Sequence, residues 1–495
     1  MGPDGVDAQR LLFATFGDSM TDDRFSPMLS STPRLAERFA LWHAASMVLL
    51  STWALGGNSD WAHTLISGWG SLSILVFCLG VFERWRQPGA CRRIIWLWPW
   101  AAFNLVVLLS LANPNLRAIT GYGATGFIPG GEHPWLPSCA RPDQAIQALW
   151  LFDALFLTAF NVAFLVRRRT ALRRLLLFVA GNATALAIFG SLQKLAGAEG
   201  LFFGAIASPN PTFFASFIYH NHWGPVALLA VAVCLGLVWH HALNAHQDYR
   251  DAWHSPTAMW LVATLLLAAS IPLSTSRSCT LLLLVLLAGA WLHWSWKRVR
   301  HAGRSPRRTL AVWGGGSLLA VGTVGLVYWL GQPIIEARVE KTREQLTAAH
   351  ARGNLLGSRS QLYQDTWRMA QEKPWFGWGM ASYPTVFSRY NTQTSPLDRL
   401  PVVYVDAHND WLQSLAEHGV VGTVLLAMLG VLPLWQLRRY PGAWTLLPRY
   451  LLGGCALILI YALVEFPFGS QAIVYLWWLC FFVAVRYRQL EALAH

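Results

Sequence analysis

Charged side chains are scarce in this chain. Asp, Glu, Lys and Arg make up 13% of its 495 residues, about half the share that soluble globular proteins carry. Apolar residues make up 54%, and they recur in runs of roughly 18–20, the length that crosses a bilayer as a helix. Only helices and closed barrels satisfy their backbone groups in lipid. The composition therefore predicts an all-α polytopic integral membrane protein.

Other signals are missing as well. The seven cysteines show no metal-binding spacing, and only Cys139 falls clearly in an outer loop, so we expect no disulfide framework. Residues 1–38 lack the apolar core of a cleavable signal. We interpret them as a flexible cytoplasmic leader that precedes an uncleaved first span. Neither a metal nor a cofactor is expected.

Twelve apolar segments are candidates for membrane spans. They lie at 39–55, 64–82, 94–111, 145–166, 175–192, 222–239, 257–273, 278–296, 310–330, 419–436, 450–466 and 471–485.

Lys and Arg are concentrated in the loops after even-numbered spans, in ERWRQPGACRR, RRRTALRR, KRVRHAGRSPRR and RRYPGAW. Positive residues stay on the cytoplasmic side, so both termini are predicted to be inside. The same distribution, together with contact to anionic membrane lipids, accounts for the net charge of +13. The positive charge therefore gives no reason to expect that the protein binds nucleic acid.

The predicted organisation has four parts: the leader 1–38, spans 1–9 within 39–331, a large periplasmic loop at 332–418, and spans 10–12 with a short cytoplasmic tail at 419–495. A loop of this length is usually functional or disordered. This loop is rich in Trp, Tyr and Phe, which predicts a small helical subdomain folded against the membrane bundle.

Within the loop, GSRSQLYQDTWRMAQEKPWFGWG predicts a helix that begins near Ser358 and ends at Pro374. Arg359 falls in its first turn. Its charge suits a phosphate ligand, but a solvated side chain, or a partner for Asp365 or Glu372, fits the pattern equally.

The stretch YVDAHNDWLQ predicts a second helix, with Asp406 as its N-cap and His408 in its first turn. The positive end of the helix dipole favours a neutral imidazole there, which suits a general base. Nearby Asp406 acts in the opposite direction, and an ordinary hydrogen-bonded histidine is the simpler alternative.

Two further polar clusters lie at the outer ends of spans. LSTSRSCT places Arg277 between the seventh and eighth spans, where it either serves function or reaches lipid phosphate. IYHNH places Tyr219, His220 and Asn221 at the mouth of the sixth span, with His222 next to them. Two histidines without a nearby carboxylate are a weak metal signal. Two acids inside spans, Asp153 and Glu465, are each candidates to neutralise an arginine or to face a cavity.

All of these clusters fall on the predicted outer side, where nucleotide sugars are absent. A lipid-linked diphosphate is an energised substrate that is delivered there. Arginines match phosphate oxygens and stay charged, and a neutral histidine accepts the proton of an attacking hydroxyl.

Four stretches in this order resemble the bacterial O-antigen ligase and O-antigen polymerase superfamily. They are FIYHNHWGPVALL, STSRSCTLLLLV, the pair SRSQLYQDTWRMAQEKPWFGWGMASY and AHNDWLQSLAEHGVVG, and VEFPF, which together span about 215–470. The pair in the large loop is the specific part of the resemblance.

The resemblance implies a metal-independent, inverting glycosyltransferase of the bacterial inner membrane. Such an enzyme moves a glycan from undecaprenyl diphosphate to a hydroxyl of a glycan, lipid A core or protein on the periplasmic face. By resemblance, Arg277 and Arg359 bind the diphosphate, His408 activates the acceptor, and Asn409 orients the loop or the substrate. Asp406, Asn221, His220 and Tyr219 complete the expected substrate contacts.

Two departures from the family pattern stand out. Where many members have Asn-Arg-Asn, this chain has Tyr219, His220 and Asn221, so one positive charge is missing unless His220 is protonated. The acid of the penultimate span is Glu465 instead of Asp. Ligase, polymerase and protein O-glycosylating activities share this signature. A transporter or flippase of lipid-linked glycan, or a membrane scaffold, is the alternative outside the enzymes.

Overall fold

A computed structural model describes residues 34–85, 92–121, 124–244, 256–301, 358–394, 400–442 and 444–494, with four isolated helical positions at Gln332, Glu336, Glu340 and Arg343. The ninth predicted span, 310–330, and nearly all of the leader lie outside the described residues.

The described residues form long helices joined by short connections, apart from the outer loops. The principal helices are α1 (Leu35–Trp53), α2 (Asp60–Gly70), α3 (Leu72–Arg84), α4 (Trp98–Leu111), α5 (Pro142–Leu165), α6 (Arg169–Leu195), α7 (His220–Asn244), α8 (Pro256–Leu273), α9 (Arg277–His301), α10 (Ser358–Glu372), α11 (Asp410–Gln436), α12 (Leu446–Tyr461) and α13 (Gln471–Ala492).

These helices overlap every predicted span except the ninth. In the described part of the chain, eight helical segments are long and apolar enough to cross a membrane by length and composition. A multi-pass helical membrane protein is thereby confirmed, while the count of twelve spans stays a prediction. The first helix begins at Leu35, so the last residues of the predicted leader are helical.

Three helices, α5, α7 and α13, occupy the centre of the bundle and bury most of their side chains. Along α5, Phe152, Phe156, Phe160 and Phe164 are spaced four residues apart and stack in a row. This row packs against Trp478 and Phe482 of α13. Because lipid supplies no hydrophobic force between helices, such packing contacts hold the bundle together.

The loop 112–144 departs from the all-α prediction. Its residues Leu116–Gly121 (β1) and Ala124–Pro129 (β2) pair as an antiparallel hairpin. The segment carries Gly, Thr and Ala in weak alternation, so its sequence gives little strand signal. The loop also braces the large loop: the Ala140 amide donates to the Trp378 carbonyl at 2.9 Å, and Lys373 pairs with Glu132.

The described part of the large loop has its own apolar core. Leu362, Thr366, Met369 and Ala370 form one face of α10, and all four are buried. They pack with a cluster of loop residues, namely Trp378, Tyr383, Val386, Phe387, Ala407 and Ala416. The helix ends at Glu372, just before the proline that was predicted to stop it.

The turn after α10 fits into a break in α11. Gly419 has φ 61 and ψ −169, a conformation that is essentially restricted to glycine. The break leaves backbone groups of α11 without helical partners, and the turn supplies them. The amides of Trp378 and Gly379 donate to α11 carbonyls at 2.9 and 2.8 Å, and Val420 donates to the Pro374 carbonyl at 2.8 Å. The two motifs of the large loop are thus complementary halves of one contact.

Replacing Gly419 with alanine should destabilise this contact severely. The added Cβ would lie 2.4 Å from the backbone of Trp375. Strained backbone and overpacking together are expected to cost ~3 kcal/mol or more. Thermal unfolding of detergent-purified protein measures the effect. Gly453→Ala in α12 is the control, because nothing lies within 4 Å of its added methyl group. Equal stability of the two variants would contradict the docked-turn interpretation.

Candidate active site

Glu465 lies at the centre of the predicted site. It follows α12, is only 4% exposed, and accepts hydrogen bonds from three different segments. His408 Nδ1 lies 3.2 Å from its Oε2, and Asn221 Nδ2 lies 3.3 Å from its Oε1. Arg359 donates to Oε1 as an ion pair. Residues separated by more than 200 positions in the sequence therefore converge on one carboxylate.

The surroundings of Glu465 keep its carboxylate charged. Burial alone would raise its pKa, but the hydrogen bond from His408 and the positive charge of Arg359 hold the pKa below its ordinary value. Because the carboxylate is ionised at neutral pH, it can only accept hydrogen bonds.

This contact fixes the tautomer of His408. A charged carboxylate requires a donor, so Nδ1 of a neutral imidazole carries the hydrogen and Nε2 is left as an acceptor. The ring also packs edge-on against Phe466, with centroids 4.7 Å apart. His408 has φ 50, a left-handed backbone conformation that costs energy in a non-glycine residue. Such strain is typical of residues that tertiary contacts hold in place.

The predicted helix start before His408 is wrong. Asn409, not Asp406, is the N-cap of α11, and its side-chain oxygen accepts the Leu412 amide at 3.0 Å. His408 therefore precedes the helix and does not lie in its first turn. The start is fixed by tertiary contact, because the Asp410 amide donates to the Ala462 carbonyl at 2.9 Å. Orientation of the imidazole comes from Glu465 and not from the helix dipole.

Arg359 lies in the first turn of α10, as predicted, and its side chain is 37% exposed. Besides Glu465 it donates to the Val464 carbonyl at 2.8 Å. The alternative partners have other contacts: Asp365 pairs with Arg368, and Glu372 accepts from a tyrosine. A guanidinium has five donor hydrogens, so these two bonds leave donors for a ligand.

Aromatic rings surround Glu465. Tyr219 stacks on Phe466, with centroids 5.3 Å apart, and its hydroxyl accepts from Asn221 at 2.7 Å. His220 is buried and packs edge-on against Tyr219. His222 contacts the rings of Tyr219 and Phe466 and shares a hydrogen bond of 3.0 Å with Asn58. The residues of the IYHNH motif thus form one wall of the site.

Arg277 is the first residue of α9 and is exposed. Its neighbours Ser276 and Cys279 lie against Gly224 in the second turn of α7. One turn earlier in α7, the Asn221 carbonyl accepts from Tyr461 at 3.3 Å. Arg277 therefore lies at the same end of the bundle as Glu465.

Asp406 lies close enough to His408 for their charges to interact. Desolvation by burial raises the pKa of this carboxyl from its ordinary value of 3.8 to about 6, although His408 and Gln413 act in the opposite direction. Gln413 also accepts the Ala407 amide at 2.9 Å. The carboxyl thus spends part of its time protonated near neutral pH.

Asp406→Asn should stabilise the protein near pH 7. Because the pKa of Asp406 is raised in the folded state, its protonated carboxyl contributes stability that is fully present below about pH 4. This contribution is lost as the pH rises through about 6. The amide removes this loss, with a gain of about 1–2 kcal/mol after allowance for the partial exposure of the side chain. Apparent unfolding midpoints measured between pH 4 and pH 7 test this. The difference from the unmodified protein should grow with pH, and a constant difference would contradict it.

Sequence reasoning did not identify several contributors to this site. Tyr363 lies one turn after Arg359 and donates to the His408 carbonyl at 2.9 Å. Its i, i+4 spacing from Arg359 was the available signal. Phe466 and His222 also contribute, and the sequence pattern predicts no role in the site for either of them. Glu465 was noted as a candidate arginine partner, and that pairing is confirmed.

The described part of the chain contains no cluster of side chains that could bind a metal ion. No group of three His, Cys, Asp or Glu side chains there is arranged to hold an ion.

A family model described as O-Antigen ligase matches residues 262–427. The match contains Arg277, Arg359 and His408, and it ends before Glu465. No curated protein sequence matches the chain. The match supports a protein of the O-antigen ligase or polymerase type over these residues. Over residues 262–427, this match confirms the resemblance to the O-antigen ligase and O-antigen polymerase superfamily that the four motifs predicted.

Proposed function

We propose that the protein transfers a glycan from undecaprenyl diphosphate to an acceptor hydroxyl on the periplasmic face of the bacterial inner membrane. The observation that carries the proposal is the junction at Glu465, where one carboxylate orients the His408 imidazole and holds Arg359 beside it. A base and a cation for phosphate are thereby held next to each other at one end of a helical bundle.

In the proposed reaction, His408 Nε2 takes the proton of the acceptor hydroxyl. The oxygen attacks the anomeric carbon of the donor sugar from the side opposite the diphosphate. The bond between that carbon and the phosphate oxygen breaks, and the configuration at the carbon inverts. The electron pair leaves on undecaprenyl diphosphate, whose negative charge Arg359 and Arg277 stabilise.

The fixed position of its guanidinium, and not an excess of positive charge, supports the assignment of Arg359. In the described structure its charge is matched by Glu465, so the pair with a neutral His408 is formally neutral. Arriving diphosphate therefore meets a guanidinium held in place, and exposed Arg277 adds positive charge from α9. Asn221 and Tyr219 are proposed to contact the sugar through their amide and hydroxyl groups.

Incubation of the purified protein with a glycan-loaded undecaprenyl diphosphate and candidate acceptors tests the proposal. A lengthened lipid-linked product indicates a polymerase, transfer to lipid A core a ligase, and transfer to a peptide hydroxyl a protein O-glycosylating enzyme. Chelators should leave the rate unchanged. Movement of lipid-linked glycan across vesicles without any transfer would overturn the proposal in favour of a transporter.

A further inference from the structure

Five arginines gather at the end of the bundle opposite Glu465. Helix α13 begins beside the site at Gln471 and carries Arg486 fifteen residues later, about 22 Å along the helix. Arg486 there interacts electrostatically with Arg84 and Arg93, and Arg84 also interacts with Arg34 and Arg167. We call these five residues, Arg34, Arg84, Arg93, Arg167 and Arg486, the arginine cluster.

The deepest members of the arginine cluster bind the end of α5. Arg84 donates to the carbonyls of Phe164 and Leu165, the second at 2.6 Å, and Arg486 donates to the Val166 carbonyl at 2.7 Å. Arg84 and Arg486 are each 4% exposed. A helix C-terminus carries only about half a negative charge, so these contacts satisfy hydrogen bonds without neutralising the cluster.

Within the described residues, two acids face the arginine cluster. Glu37 accepts the Arg167 amide and Glu83 accepts the Ala36 amide, each at 3.1 Å. Even without Arg167, the other four arginines and the two glutamates leave a formal charge of +2. Positive charge at this density, removed from water, favours an anion as a further partner.

The rim of the arginine cluster is partly exposed and lies next to apolar side chains. Arg34 donates to the Glu83 carbonyl at 3.0 Å, which joins the start of α1 to the end of α3. Exposed apolar residues flank this junction, namely Leu35, Phe39, Phe82 and Trp85. An anion that binds here therefore contacts arginine side chains that lie next to an apolar surface. A phospholipid, which joins a phosphate to acyl chains, fits this combination better than a free ion does.

We propose that the arginine cluster is a binding site for an anionic phospholipid. Its headgroup phosphate contacts Arg34 and Arg167 at the rim, and its acyl chains lie along the apolar faces of α1 and α3. The site is independent of the proposed transfer reaction, since it lies at the other end of the bundle.

The experiment titrates phosphatidylglycerol or cardiolipin into detergent-purified protein and measures retained lipid by native mass spectrometry, with phosphatidylcholine as reference. Arg34→Gln combined with Arg167→Gln should lower the affinity for anionic lipid roughly 10- to 30-fold, because each basic side chain near a membrane surface contributes on the order of 1 kcal/mol. The buried arginines stay in place, so the helix contacts are preserved.

Arg438→Gln combined with Arg439→Gln is the matched control, because it removes the same charge from exposed positions after α11. A selective loss in the Arg34/Arg167 variant supports the site. An equal loss in both variants indicates diffuse surface attraction and overturns it, as does equal retention of anionic and zwitterionic lipid by the unmodified protein. Inorganic phosphate that displaces the lipid at millimolar concentration would instead indicate a free-anion site and also overturn it.

Discussion

His408→Ala should leave the protein correctly inserted and reduce glycan transfer by about 10²–10⁴-fold. General base catalysis typically contributes this much. Within the described residues, the His408 ring contacts Glu465 and Phe466, which both lie after the end of α12. The packing between the long helices should therefore be preserved. Initial rates at saturating lipid-linked donor measure the loss, and the yield of monodisperse protein reports on insertion.

His408→Asn separates catalysis from structure. The asparagine amide reaches the position of Nδ1 and keeps a donor for Glu465, but it has no group in place of Nε2. We expect stability near that of the unmodified protein and activity as low as in His408→Ala. His133→Ala controls for removal of an imidazole and should be fully active, because His133 is an exposed residue of the loop 112–144. Transfer at an undiminished rate by His408→Asn would exclude the base.

The sequence predicted those features that depend on local pattern. Charge scarcity and apolar runs identified the helical bundle, and Ser358 with Pro374 delimited α10, because caps and prolines act within a few residues. The hairpin β1–β2 was missed because its apolar alternation is weak. Leu116 of β1 is buried in the apolar core of the large loop, and strand propensity carries no information on such a contact.

Tertiary contacts decided what the sequence left open. Asp406 and Asn409 are equally suitable N-caps, and the Asp410–Ala462 hydrogen bond selected Asn409. Arg359 had two nearby acids on its own helix, yet its partner is Glu465, which lies 106 positions away. Sequence spacing measures proximity along a helix and carries no information on how α10 packs against the end of α12.

Substitution of Glu465 should affect stability and catalysis together. Glu465→Gln keeps the side-chain shape but places an amide N–H either against His408 at Oε2 or against Arg359 and Asn221 at Oε1. We expect transfer to fall at least 10²-fold, because the imidazole loses the acceptor that fixes its tautomer. Stability should fall by about 1–3 kcal/mol, a range that allows for the partial exposure of Arg359.

The pH dependence distinguishes this effect from a simple packing defect. The pKa of Glu465 is held below its ordinary value, so its contribution to stability is present above that ordinary value and is lost as the pH falls through the lowered one. The stability of Glu465→Gln should therefore differ most from that of the unmodified protein at neutral pH, and the two should converge in acid.

Glu132→Gln, which breaks the ion pair between Glu132 and Lys373, is the control for loss of a partly exposed ion pair and should retain transfer. Glu465→Asp restores the acid that the resemblance associates with this position, and a shorter carboxylate that still reaches His408 should recover part of the activity. Full activity in Glu465→Gln would mean that His408 needs no carboxylate to orient it, and the proposed base would lose its structural support.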